Sequence, residues 1–280
     1  MNTLNLKQQL MDAKSRGYAV GAFNILNYVS TKAVLEVADE LKSPVILQTS
    51  MATVRKFGAP ALLQMIHALR RSRPVIVHLD HCTDYGMARE CIDLGWDSVM
   101  IDLSAKPFEE NIAGTLEIKR FAQSKNVSVE GELGIIPGVE DHIAHAAGTQ
   151  PTFEMAMEYI EKTGVDAFAP SIGTAHGLYK EAVQLNYDMV KKLRDGSDVP
   201  VVIHGGTGLT EIQFHELIAN GAAKINVSTA LKQAYLKSTQ AYMDQNKIGG
   251  DPLKLDQYTE AALRQSVEVH IRYFGSAGKA

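Results

Sequence analysis

Val75-Ile76-Val77-His78-Leu79-Asp80-His81 reads as an apolar strand that ends in chemically capable side chains. Side chains alternate faces along a strand, so His78 and Asp80 share one face, and His81 emerges where strand gives way to loop. His78 is expected to pack into the interior. The strand tip then offers a metal ligand beside a carboxylate free to move protons, provided that partners come from elsewhere in the chain.

The same pattern recurs on both sides of this stretch. Short apolar segments stand at 19–23, 44–49, 75–80, 97–102, 127–132, 166–171, 200–204 and 222–227, and amphipathic helical spacing follows each of them. Gly17, Gly95 and Gly164 stop helices, while Pro44, Pro74 and Pro200 open strands. Helices are expected at 4–16, 31–41, 60–70, 84–94, 107–123, 153–163, 186–194 and 211–220. The chain is helical again after 230, with a break at Gly249-Gly250-Asp251-Pro252, and 135–150 is the one long irregular stretch. Eight strand–helix alternations in 280 residues predict an α/β fold, a (β/α)8 TIM barrel with additional C-terminal helices, forming a single domain over 1–280. A doubly wound open sheet is the weaker reading, because no GxGxxG follows the first strand.

Composition narrows the function classes. The chain is 45% hydrophobic and 21% charged, with a net charge of −4, so nothing in its electrostatics favours nucleic acid or an anionic membrane. Cys82 and Cys91 are too few for a disulfide framework and do not form a CxxC. Met1-Asn2-Thr3-Leu4-Asn5 lacks the charged start of a secretory leader, and no apolar run reaches membrane-span length. A cytoplasmic protein is expected.

Unusual polar residues gather at predicted strand ends: Asn24, Gln48, Asp80 and His81, Asp102, Glu132, His176, His204 and Asn226. In a barrel these ends converge on one face, where sites are built. His81, His176 and His204 can supply the three protein ligands of a catalytic zinc, and Gly177 and Gly205 leave room beside two of them. His142 and His145 are spare candidates. Gly205-Gly206-Thr207-Gly208 opens one helix and Ser228-Thr229 opens another, and helix N-termini after the seventh and eighth barrel strands bind phosphate. Asp80 is read as a ligand, a partner of a ligand, or a general acid–base. Glu140 sits in the irregular stretch, where a closing loop could carry a proton-shuttling carboxylate. A metal-dependent hydrolase on the same barrel would need a His-x-His on the first strand, and Ala22-Phe23-Asn24 offers none.

Taken together, HLDH (78–81), SVMID (98–102), VEGELG (129–134), GVED (138–141), GTAHGLY (173–179), HGGTGL (204–209), KINVST (224–229) and FGSAGKA (274–280) resemble the class II, metal-dependent ketose-bisphosphate aldolases. The resemblance covers essentially the whole chain. It implies one catalytic Zn²⁺ per chain on His81, His176 and His204, with Glu132 as an alternative metal carboxylate and Asp102 near a second cation position. It makes Asp80 the acid–base at the aldehyde-side hydroxyl and Glu140 the group that moves the proton on the carbon nucleophile. Gly177, Gly205, Gly206, Thr207, Asn226, Ser228 and Thr229 would hold dihydroxyacetone phosphate, with a monovalent cation nearby, and Asn24 and Ser50 join the substrate side. The implied reaction is reversible cleavage of a ketose 1-phosphate or 1,6-bisphosphate through a zinc-stabilised enediolate. The implied partners are a small sugar phosphate and, through the helical region 230–274, further copies of the chain in a homodimer or homotetramer.

The departures concern substrate. The family often carries Asp-Pro-Arg before the last helix, where this chain reads Asp251-Pro252-Leu253-Lys254, and Arg55 and Lys56 follow the second strand. The distal group of the ketose is therefore open. Either it is another anion held by Arg55 or a neutral end, or Lys254 or Arg264 replaces the missing Arg for an ordinary 6-phosphate.

Overall fold

The computed structural model describes residues 5–70, 75–140, 143–145, 147–177, 183–246 and 249–280. His142 lies outside the described residues, and His145 is described only in its backbone. The segment read first becomes β3 (Val75–Cys82), buried along its whole length. With it, β1 (Val20–Asn24), β2 (Val45–Ser50), β4 (Ser98–Ile101), β5 (Ser128–Leu133), β8 (Ala167–Pro170), β9 (Val201–Ile203) and β10 (Ala222–Val227) close a barrel of eight parallel strands. Each barrel strand pairs with the next in chain order, and β1 closes on β10. This is the (β/α)8 arrangement expected from the alternation.

Strand parity builds the interior. Val20, Ala22, Ile46, Ile76, Ala167, Ala169, Val202 and Ala223 form an apolar lower layer. Leu6, Leu10 and Ala13 of α1 (Leu6–Arg16) pack into this layer and seal the N-terminal end of the barrel. Two residues further along the same faces, the layer turns polar: Asn24 follows Ala22, Gln48 follows Ile46, His78 follows Ile76 and His204 follows Val202, all of them buried. The barrel thus holds oil at the bottom and ionisable groups at the top.

Helices cover the outside: α2 (Tyr28–Leu41), α4 (Ala59–Leu69), α5 (Tyr85–Asp93), α6 (Phe108–Gln123), α7 (Phe153–Thr163), α8 (Tyr187–Gly196) and α9 (Glu211–Ala219). Their apolar faces meet the outward side chains of the strands in one continuous core that includes Trp96, Tyr159, Phe168 and Phe214. Beyond the barrel, α10 (Thr229–Asn246) packs on α11 (Pro252–Tyr273), which lies against α2 and β1.

Three elements depart from the sequence reading. α2 starts at Tyr28, three residues earlier than expected, because Asn27 and Ser30 form a reciprocal capping box. A short helix, α3 (Met51–Phe57), follows β2 directly, where no helix was expected. The stretch read as irregular contains an antiparallel hairpin, β6 (Gly138–Glu140) with β7 (Ile143–His145).

Candidate active site

Three strand ends bring the histidines together. The His81 ring centroid lies 4.9 Å from that of His176 and 4.6 Å from that of His204. One nitrogen of each ring falls within 4.8 Å of one nitrogen of the others. His81 does not wait for the loop. Strand β3 continues through it, the ladder to β4 slips between Leu79 and Cys82, and His81 adopts a left-handed φ of 45°. That strained turn, of a kind costing about 1–3 kcal/mol, lets Asp80 and His81 both serve the same end of the barrel.

Buried carboxylates orient two of the rings. His81 Nδ1 is 2.7 Å from Asp102 Oδ2, and Asp102 Oδ1 accepts from the Ser104 amide and hydroxyl at 3.1 and 2.7 Å. Burial pushes the Asp102 carboxyl up, but His81 and the Ser104 donors prevail and hold it well below the usual carboxylate range. His204 Nε2 meets Glu130 Oε1 at 2.9 Å, while Lys224 Nζ donates to both Glu130 oxygens at 3.1 and 2.8 Å. Glu130 and Lys224 are completely buried. Against burial, Lys224 and His204 keep Glu130 ionised, its pKa below the ordinary range. His78 sits beneath them, its Nδ1 2.7 Å from Ser98 Oγ, and burial followed by Lys224 keeps it neutral.

The donor set fits a cation. His204 Nδ1 and Glu132 Oε2 are 3.0 Å apart yet too bent for a hydrogen bond, and both lack a hydrogen-bond partner. A cation shared between these two orphaned atoms would satisfy both. Burial and His81 depress the His204 imidazole, but Glu130 and Glu132 outweigh them and raise it to about 9. His81, Asp102 and Glu132 form a second group with the same spacing, although Asp102 is already engaged by His81 and Ser104.

Asp80 stands next to this cluster in a cradle of amides. Asn24 Nδ2 and Gln48 Nε2 donate to its Oδ2 at 2.9 and 3.2 Å, and Asn226 Nδ2 donates to its Oδ1 at 3.2 Å. Gln48 also donates to Asn24 Oδ1 at 2.7 Å, which locks the cradle together. Strands β1, β2 and β10 thus converge on the carboxylate of β3.

The expected phosphate side lies across the barrel. Thr207 Oγ1 accepts from the Ala230 amide at 3.1 Å, tying the loop after β9 to the first turn of α10. Ser228 Oγ and Asn226 Oδ1 are buried without partners. Thr210 and Gln213 close a capping box on α9, which already uses two of the amide donors at that helix start. Gly205 has φ +70°, and a Cβ on it would meet the Ala175 carbonyl at 2.5 Å, so only glycine lets the loops of His176 and His204 approach this closely. Gly177 closes the described part of the His176 loop.

The outlying candidates are placed less centrally. Ser50 ends β2, 3.4 Å from Thr53 Oγ1. Arg55 lies in the last turn of α3, mostly exposed and 3.7 Å from Asp84. Arg264 binds Glu36 and Glu40 at 2.7 Å, so its guanidinium is engaged within the chain. Glu140 is described only in its backbone, in β6, and its side chain lies outside the described residues. The hairpin bearing it is anchored: His176 N donates to Pro137 O at 2.7 Å, and Gly138 pairs with His176, too close for any Cβ.

Glu130 and Lys224 were not singled out from sequence. The signals existed: Glu130 shares the face of Glu132, and a lysine inside Ala222-Ala223-Lys224-Ile225 demands a buried counter-charge.

A parallel barrel with a histidine–carboxylate cluster at its C-terminal face has the form of a barrel enzyme, whose active sites are built at that face. The sequence model of the family described as fructose-bisphosphate aldolase class-II matches residues 4–279, and the chain belongs to that family. The fructose-bisphosphate aldolase of Staphylococcus aureus (strain Mu50 / ATCC 700699) is 37% identical over 285 residues, covering 100% of both chains. That of Geobacillus stearothermophilus is 37% identical, covering 100% of this chain and 99% of its own. The crystal structure of the YdjI aldolase from Escherichia coli K12 superimposes with a TM-score of 0.86 at 32% identity, covering 99% and 98% of the two chains.

Proposed function

We propose that this chain is a zinc-dependent aldolase that reversibly cleaves a ketose 1-phosphate or 1,6-bisphosphate to dihydroxyacetone phosphate and an aldehyde. The observation that carries the reading is the convergence of His81, His176 and His204 beside an Asp80 held by three amides. Zinc held by the three histidines supplies Lewis-acid stabilisation of the negative charge that cleavage leaves on the ketose oxygens.

The remaining work belongs to side chains. Asp80 accepts the proton of the aldehyde-side hydroxyl as the carbon–carbon bond breaks and returns it in the synthetic direction. Asn24, Gln48 and Asn226 hold both carboxylate oxygens, so the acceptor meets the hydroxyl in one orientation. Glu140 delivers the proton to the carbon nucleophile. Thr207, Gly205, Gly206, Gly177, Ser228 and Thr229 hold the 1-phosphate at the start of α10, with a monovalent cation beside it. Asp102 and Glu130 act behind His81 and His204, and Glu132 stands as the alternative metal carboxylate.

The distal end of the ketose is read as something other than a standard 6-phosphate, met by Arg55. Leu253 stands on the surface where the family often has an Arg, and Arg264 is occupied by Glu36 and Glu40. The chain works as one domain in the cytoplasm, as a homodimer or homotetramer. No helix among the described residues is long and apolar enough to cross a membrane.

The test is dihydroxyacetone phosphate release from fructose and tagatose 1,6-bisphosphates and from ketose 1-phosphates altered at C6, with and without a chelator. Chelator-sensitive release favouring an altered C6 is expected. Release best supported by a 1,6-bisphosphate would overturn the distal-group reading alone. Silence across the panel, with zinc bound, would overturn the enzyme.

A further inference from the structure

Beneath the histidine cluster lies a completely buried trio that the reaction does not touch: Glu130 on β5, Lys224 on β10 and the far nitrogen of His204. We infer that Glu130 is a positioning residue that selects the metal-binding tautomer of His204, and that Lys224 allows it to do so. The inference rests on reading His204 as a zinc ligand.

An imidazole can offer a lone pair to a metal only from the nitrogen that carries no proton, and the opposite nitrogen must then be a donor. In this structure the opposite nitrogen is Nε2, and what it faces at 2.9 Å is a carboxylate oxygen, an acceptor only. Glu130 therefore draws the ring proton to Nε2. Nδ1, on the side of Glu132, is left to the cation. A bare carboxylate in so dry a place would be strongly disfavoured, and Lys224 offsets it with two contacts of 3.1 and 2.8 Å. The pair also adds no net charge behind the ligand. His78 Nε2, 3.8 Å from Glu130 Oε2, is too distant to compete for the carboxylate.

The arrangement predicts an unusual response to an isosteric change. In Glu130→Gln one oxygen remains, claimed by both Lys224 and His204. An ammonium only donates and lies nearer Oε2, at 2.8 Å, so the amide oxygen takes the Oε2 place and the NH2 takes the Oε1 place facing His204. Nε2 must then accept, the ring proton moves to Nδ1, and zinc has to displace it. Zinc affinity should fall about 10- to 100-fold, the range for loss of a group that orients a ligand. In Glu130→Gln with Lys224→Met the cation is gone, the oxygen is free for His204, and most of the affinity should return.

The measurement is competition for zinc between the metal-free protein and a chromophoric chelator, with the melting temperature of each metal-free variant recorded alongside. The ¹⁵N shifts of the His204 ring in the metal-free protein, read at a pH where the ring carries a single proton, report the tautomer directly. Weakened binding in Glu130→Gln, restored by Lys224→Met and matched by a proton on Nδ1, supports the inference. Unchanged affinity in Glu130→Gln, or equal weakening in the single and double variants, overturns it, because a merely structural role would not be repaired by removing a second buried group. If Glu130→Gln does not fold, Glu130→Asp carries the test. The shorter side chain keeps the charge beside Lys224 but withdraws from His204, and undiminished zinc affinity would overturn the inference. His204→Ala separates the two levels: if it binds zinc like the wild type, the ligand assignment itself has failed.

Discussion

Asp80 has no room to wander. Three amide groups from three strands donate to its two oxygens, and one of them, Gln48, also grips a second. Asp80→Asn keeps the shape but turns half of the acceptor into a donor facing donors. It should lower kcat about 10²- to 10⁴-fold, the span of general acid–base catalysis, while zinc affinity measured by chelator competition stays the same. A loss seen in zinc affinity instead would make Asp80 part of the metal site. Arg55, exposed on α3, is a separate matter. Arg55→Ala should raise KM for the preferred ketose and leave kcat nearly alone, and efficiency unaffected by the change would remove Arg55 from the substrate. At this scale the strand-end histidines and carboxylates were legible because polar residues at the tips of apolar runs are conspicuous. Glu130 was not, since a charged residue two steps before Glu132 reads as part of the same motif until its partner, Lys224 on a distant strand, is seen.

The elements follow local rules more closely than a hydrophobic pattern reveals. The early start of α2 rests on Asn27 and Ser30, whose side chains each satisfy the other's backbone amide at 3.1 and 2.9 Å. Replacing Asn27 by Ala should lower stability by about 1 kcal/mol in denaturant unfolding, with the slope of the transition unchanged. No loss would mean that packing alone sets the start of α2. The capping box was readable in principle, but apolar spacing begins later and drew the boundary to Thr31. α3 is too short for a helical period to declare itself. The β6–β7 hairpin has no Asn-Gly or Asp-Gly turn and only three residues per strand, so its register comes from its anchorage at His176 rather than from its own sequence. The eight barrel strands were legible for the opposite reason, being buried on both faces and flanked by glycine and proline.

For the whole molecule, the barrel accounts for the site and leaves exposed apolar side chains on the outer side of α10 and α11 unexplained. Leu236 and Met243 on α10 and Leu253, Tyr258 and Val269 on α11 stay exposed in the single chain. Burial of these side chains between copies is the proposed reason, and light scattering should report a dimer or tetramer at micromolar concentration. Leu253→Asp should shift that assembly towards monomer, whereas a monomeric wild type would leave them without their proposed role. Elsewhere α11 is tied down within the chain, Arg264 to Glu36 and Glu40 and Lys32 to Glu260.

Glu130 and Lys224 also bear on how the molecule is made. The carboxylate leaves the ribosome 94 residues before its ammonium partner. Until the last strand arrives, the upper chamber must stay wet, so the barrel cannot be zipped shut one strand at a time. A nascent chain released before β10 should show rapid amide exchange in β5, although β5 already has both of its neighbours in the sequence. Closure and dehydration are then expected as a single event that waits for β10.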